Sequence, residues 1–274
     1  MTESFSKKAF SIVELSAVLV IIAIIIGMII SIHNMADTSK ISAARTLSKL
    51  SPVQEIDSLV LWLDATAEDA FNAGDAIDGT YVSVWYDLNK KSLNKHDVTS
   101  SSPNQPVYFK NGINGLPALH FDGSDDYLTG SSINELSGNP DITVFVVANV
   151  VDDGSGDTER AMQIGPTAST GNVSISFGLD GSFRYNGGSQ VFSSQKGFPV
   201  IATYRRGYND PYNGGEIWTN GESLTQTASS NPSSIPAINP EEVRVGAGRG
   251  VAGSTIFAAL NGYIGEVIIF NEYF

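Results

Sequence analysis

Residues 173–183 read VSISFGLDGSF. Val173, Ile175 and Phe177 alternate with Ser174 and Ser176, the period of two that a strand with one buried face requires. Asp180-Gly181 follows, a pair that tolerates the positive φ of a tight hairpin turn, and Phe183 opens the return strand. Asn220-Gly221 after Glu216-Ile217-Trp218 repeats the signal. Outward from these hairpins, short apolar runs alternate with turn residues. Candidate strands fall at Ser58–Leu63, Tyr81–Trp85, Leu116–Asp122, Ile142–Asn149, Val173–Leu179, Phe183–Asn186, Val200–Arg205, Gly215–Thr219, Glu242–Gly246 and Tyr263–Phe270. Many short strands of this kind predict an all-β sandwich or barrel. The 27 glycines and 16% charged residues agree with strands and turns. No segment recurs with a period of 20–50 residues, which argues against a propeller or solenoid.

The first 51 residues are of another kind. Residues 1–9, MTESFSKKA, are polar and end in Lys7-Lys8 and a small residue. From Phe10 to Ala36, Glu14 is the one formal charge. Leu15–Ile32 is an uncharged run of 18 residues, enough to predict a membrane-spanning helix. Lys7 and Lys8 should hold its N-terminal side in the cytoplasm. A secretory signal peptide has a shorter apolar core, about 7–15 residues. A plain signal anchor fits the length but leaves Glu14 unexplained, since a carboxylate deep in a bilayer costs roughly 2.5–3.5 kcal/mol on insertion scales. Residues 37–51, DTSKISAARTLSKLS, place Ile41, Ala44, Leu47 and Leu50 at helical spacing, and Pro52 predicts a stop near Ser51. A helix over 10–51 would be about 60 Å long.

Lys7-Lys8-Ala9-Phe10, Glu14 and the apolar run together resemble the type III signal sequence of type IV prepilins. The resemblance covers residues 7–36. It implies cleavage between Ala9 and Phe10 by prepilin peptidase, N-methylation of Phe10, and an assembly role for Glu14 against the N-terminal amine of a neighbouring subunit. The physics agrees: a buried carboxylate needs a partner, and an adjacent ammonium supplies one and sets register. Two departures stand out. The family usually has Gly before the cut, where this chain has Ala9, and many members carry a Pro in the apolar segment, which here has Gly27 as its one weak point.

Within the remainder, Val84-Trp85-Tyr86-Asp87-Leu88, Leu116–Leu128 (LPALHFDGSDDYL) and Leu260–Phe270 (LNGYIGEVIIF) occur in an order similar to laminin G-like, concanavalin A-like domains. That resemblance implies two packed antiparallel sheets over residues 58–270 with their ends close together.

Candidate chemistry is sparse. Asp152, Asp153 and Asp157 in an acidic loop are candidate Ca²⁺ ligands, against the plainer reading of a solvated hairpin end. Asp122, Asp125 and Asp126 cluster too, and are read as a turn in which Asp122-Gly123 caps the chain reversal. Tyr208, Asn209, Asp210 and Tyr212 form an aromatic and amide cluster of the sort that binds sugar rings; ordinary loop packing is the alternative. His33, His96 and His120 are scattered, with no zinc spacing, and no nucleophile elbow or P-loop is present. The expectation is of a chain that is not an enzyme. A net charge of −13 argues against nucleic acid as a partner, and the absence of cysteine excludes a disulfide framework.

The expected fold is therefore a leader (1–9), a long and partly transmembrane N-terminal α-helix (10–51) and an all-β concanavalin A-like jelly roll (52–274). The expected role is a structural subunit of a type IV pilus-like filament. Its partners would be copies of itself or other pilins, prepilin peptidase and the assembly machinery, with Ca²⁺ or surface glycans at the head. It would reside in the bacterial inner membrane as a precursor and then on the cell surface. The alternatives are a type II secretion pseudopilin and a membrane-anchored or secreted lectin-like binding protein.

Overall fold

The computed structural model describes residues 22, 35, 37–138, 140–151, 159–165, 175–178, 182–185, 188–191, 196–207, 216–224, 228–230, 238–249, 256 and 258–274. It divides into two units, Met1–Ala43 and Ala44–Phe274. Described helix runs over residues 37–49, with Ile22 and Met35 also helical. This segment carries Asp37, Lys40, Arg45 and Lys49 and is amphipathic. No helix among the described residues is long and apolar enough to cross a membrane. That overturns the expected long, partly transmembrane helix, since the described helix is short and its charges suit an aqueous face. The helix gives way at Ser51, whose hydroxyl accepts from the Val53 amide and caps a 3₁₀ turn over Pro52–Glu55, close to the stop expected from Pro52.

Among the described residues, the strands of the second unit form two antiparallel sheets. In the first sheet the order is Glu222–Ser223, Glu216–Thr219, Pro199–Arg206, Ile142–Val150, Asn261–Phe270, Leu116–Asp122, Val107–Ile113 and Thr80–Tyr81. Leu59–Asp64 also pairs with Asn261–Phe270. The second sheet runs Ala228–Ser230, Gly188–Val191, Ser182–Tyr185, Ile175–Gly178, Arg160–Gly165, Glu242–Val245, Leu128–Gly130, Val98–Thr99 and Val84–Trp85. Inward side chains of both sheets meet in one core: Leu61, Leu63, Val144, Val146 and Val267 from the first, Trp85, Leu128, Met162, Val243 and Val245 from the second. Burying such residues contributes roughly 1.5–3 kcal/mol for each large aliphatic or aromatic side chain. The first and last strands of the unit are neighbours, so its two ends lie together: the Asn271 amide donates to the Ser58 carbonyl at 2.9 Å.

Two features of the first sheet position the site. Asn261–Phe270 has two successive neighbours on one side, Leu116–Asp122 along residues 261–264 and Leu59–Asp64 along residues 266–270. These two strands diverge and leave a fork. At the fork, Ile264 faces Ala148 and Glu266 faces Val147, so Gly265 is one extra residue, a β-bulge. Strict alternation from Ile264 would turn Glu266 into the core. The bulge instead places it on the outer face.

Candidate functional site

Along Leu59–Asp64, alternation sends Leu61 and Leu63 inward and Trp62 and Asp64 outward. Register then sets Asp64 opposite Glu266 and Trp62 opposite Ile268. Above this pair the outer face of the sheet hollows into a cleft of about 330 Å³. Apolar walls come from Ile113, Leu116, Pro117, Val147 and Ile201, and Asp64, Thr66, Asn114, Asn220 and Glu266 supply the polar groups. Asn114 and Asn220 have φ of 51° and sit in two-residue Asn-Gly hairpin tips, the turns that favour this pair. The Asn220 side chain is fixed by accepting from the Ile201 amide at 2.9 Å.

Both carboxylates are held in place. Asp64 Oδ1 accepts from the Thr66 amide and the Thr66 hydroxyl, each at 2.7 Å, and the residue is only 4% exposed. Glu266 Oε1 accepts from Trp62 Nε1 at 2.8 Å. Burial, and after it the charge of Asp64, push the Glu266 carboxyl up to about 7, against the lowering effect of the Trp62 hydrogen bond. Trp62 is anchored in turn, its amide donating to Asp87 Oδ1 at 3.0 Å. Asp87 also accepts from the Asn89 and His96 amides, and burial raises its carboxyl above the usual range. A cleft with apolar walls, convergent polar groups and a perturbed carboxyl has the character of a ligand site.

Sequence reasoning passed over Asp64 and Glu266. The available signals were a carboxylate closing the apolar run Leu59–Leu63 and another interrupting the apolar strand Gly262–Phe270. The residues singled out from the sequence fall elsewhere. Ala9, Phe10, Glu14, the acidic loop residues Asp152, Asp153 and Asp157, and the cluster Tyr208, Asn209, Asp210 and Tyr212 all lie outside the described residues. Among the described residues, Asp122, Asp125 and Asp126 bring carboxylate oxygens within 4.8 Å of one another. Asp122 and Asp126 make the hydrogen bonds of a turn: Asp122 Oδ1 accepts from the Ser124 and Asp125 amides at 2.8 and 3.2 Å, and Asp126 Oδ2 accepts from the Asp122 amide at 3.0 Å, while Asp125 Oδ2 accepts from Asn104 Nδ2 at 3.2 Å. Burial and the Asp122 charge push Asp126 up to about 7. His120 lies on the outer face, tilted 4.7 Å from Tyr263. His96 is buried, with Nε2 3.3 Å from Glu135.

No family model matches the chain, and no curated protein matches it. Among solved structures it is similar to Trypanosoma rangeli sialidase in complex with the inhibitor DANA, at 12% identity and a TM-score of 0.45, over 79% of this chain and 31% of that one. The same sialidase in complex with sialic acid matches at 13% identity and a TM-score of 0.47, over 80% and 31%. The botulinum neurotoxin serotype D binding domain matches at 12% identity and a TM-score of 0.48, over 82% and 50%. The chain thus spans less than a third of the sialidase chains and half of the toxin domain. At these scores the similarity assigns no residue, ligand or reaction. The expectation that the chain is not an enzyme is set aside: sialidases are among the structures it matches, and the match assigns no activity to this chain.

Proposed function

We propose that the chain is a subunit of a type IV pilus-like filament that displays its β-sandwich as a binding head. The observation that carries this reading is the run Lys7-Lys8-Ala9-Phe10, Glu14 and the uncharged segment Leu15–Ile32. In this reading a precursor in the bacterial inner membrane is cut between Ala9 and Phe10. Phe10 becomes the N-methylated terminus, and Glu14 meets the terminal ammonium of a neighbouring subunit. That pairing gives an otherwise uncompensated carboxylate its counter-charge and fixes register among apolar segments that are otherwise interchangeable. The head then lies on the filament surface, and the outer-face cleft of its first sheet is open to a ligand.

Mass spectrometry of sheared surface filaments tests the reading. The expected result is a peptide that begins at N-methyl-Phe10. An intact leader confined to membranes, or a cut near Ala36, overturns it in favour of an anchored or secreted binding protein. Glu14→Ala should leave membrane association unchanged while filament incorporation falls, and wild-type filament levels in that variant would remove the assembly role given to Glu14.

A further inference from the structure

We propose that the cleft at the fork of the first sheet receives an organic cation, a primary ammonium on an apolar stem such as a lysine side chain of a partner protein. The inference rests on the reading of the head as a binding module and is independent of filament assembly.

Four observations converge. Asp64 and Glu266 are direct cross-strand partners, an arrangement of like groups that destabilises a sheet. None of the described residues lining the cleft is Lys, Arg or His. Arg45, beside the cleft, is already engaged, with Nε on the Thr66 carbonyl at 3.1 Å and Nη1 on Glu68 at 2.6 Å. Finally, the walls above the carboxylates are aliphatic, so an alkyl stem is accommodated while its charged head reaches the floor, as long cationic side chains do at apolar surfaces. A hard divalent cation is a poorer match, because it wants six or more oxygens and Asp64 Oδ1 already accepts two hydrogen bonds. The groups that face Glu266 from its neighbours are Asp64 and Trp62 on one side and Val147 on the other. Its ionisation is therefore governed by burial and Asp64, with the Trp62 hydrogen bond opposing them, and a cation in the cleft competes with the proton on Glu266.

Calorimetric titration of the full chain, in nonionic detergent, with Nα-acetyl-lysine N-methylamide tests this, with methyl glucoside and calcium chloride as comparison probes. Saturable binding of the lysine probe is expected at pH 8, about tenfold weaker at pH 6 as Glu266 takes up its proton. Glu266→Gln should abolish it. Ile201→Lys should also abolish it: Ile201 is 50% exposed at the rim, so the variant keeps its core and supplies a competing ammonium of its own. This second variant decides the matter if Glu266→Gln does not fold. Absence of saturable lysine-probe binding at pH 8, or binding indifferent to Ile201→Lys, overturns the proposal. Glucoside or calcium binding that Ile201→Lys removes, without lysine-probe binding, overturns the cation and leaves the binding head standing; no binding of any probe removes both.

Discussion

Glu266→Gln should stabilise the protein at neutral pH and do nothing of the kind in acid. The native carboxyl ionises near 7, against an ordinary value of 4.5. Between those values the folded state holds a proton that the unfolded state has released, so wild-type stability falls as pH rises through this window and is level above it. Gln cannot ionise, keeps an oxygen to accept from Trp62 Nε1, and escapes the loss. At 1.36 kcal/mol per pKa unit, the 2.5-unit gap is worth about 3 kcal/mol. The carboxyl is partly open to solvent through the cleft, which trims the expected gain to about 2–3 kcal/mol. For a domain of this size that is a rise in Tm of roughly 5–10 °C above pH 7, shrinking to a constant offset below pH 4.5. Urea unfolding of both proteins from pH 4 to 8 measures the difference directly. Because Asp126 and Asp87 are present in both, their titration cancels. Parallel stability curves across the whole range would refute the reasoning, and would mean that Glu266 is solvated like a surface carboxylate.

Three further outcomes can be checked by similar means. Asp87→Ala should cost about 3 kcal/mol or more in urea unfolding, because it strips the buried Trp62, Asn89 and His96 amides of their acceptor, while Asp87→Asn should cost less. Gly246→Ala should cost about 3 kcal/mol or more, since Gly246 has φ +84° and a Cβ there would lie 2.2 Å from the Phe121 ring; near wild-type stability would show that this contact relaxes. Trp62→Phe removes the hydrogen bond that lowers the Glu266 carboxyl, so carboxyl NMR should find Glu266 titrating at higher pH than in wild type, and an unchanged midpoint would discount that bond.

Much of the sandwich is legible in the sequence because side-chain alternation is local. Leu116–Asp122 is observed with the bounds that its pattern predicts, and Asn220-Gly221 makes the expected turn, with Thr219 paired to Glu222. Where a strand has little alternation to show, the reading fails. Val98–Thr99 and Leu128–Gly130 are too short to carry a period. Tyr81–Trp85 reads as one strand but is two: Thr80–Tyr81 pairs with Val107–Ile113 in the first sheet, and Val84–Trp85 pairs with Val98–Thr99 in the second. The backbone crosses between layers at Val82 and Ser83, and nothing in the residue types marks the crossing. The carboxylate pair was hidden for a different reason. Trp62 and Glu266 are 204 residues apart, so their meeting depends on strand order, which alternation does not encode.

The pair depends, further, on a bulge that absorbs one residue. If the bulge at Gly265 is what keeps Glu266 outward, the chemical identity of residue 265 should matter little, and removing it should leave the glutamate on the same face. A Cβ at position 265 would have its nearest neighbours at 3.6–3.7 Å, ordinary contact distances, so Gly265→Ala should fold and keep the elevated Glu266 ionisation. Deleting Gly265 makes Glu266 the direct successor of the inward Ile264, so plain alternation keeps the glutamate on the outer face, opposite Val147 and Asp64. The deletion also removes the Gly265 carbonyl that accepts from the Ala65 amide at 2.9 Å, which should cost about 1–3 kcal/mol in urea unfolding. The deletion variant should therefore fold, be less stable than wild type, and still show the elevated Glu266 ionisation by carboxyl NMR. A Glu266 that titrates like an ordinary surface carboxylate in the deletion variant would show that it has left the cleft floor, and the account of how this sheet builds its cleft would fail.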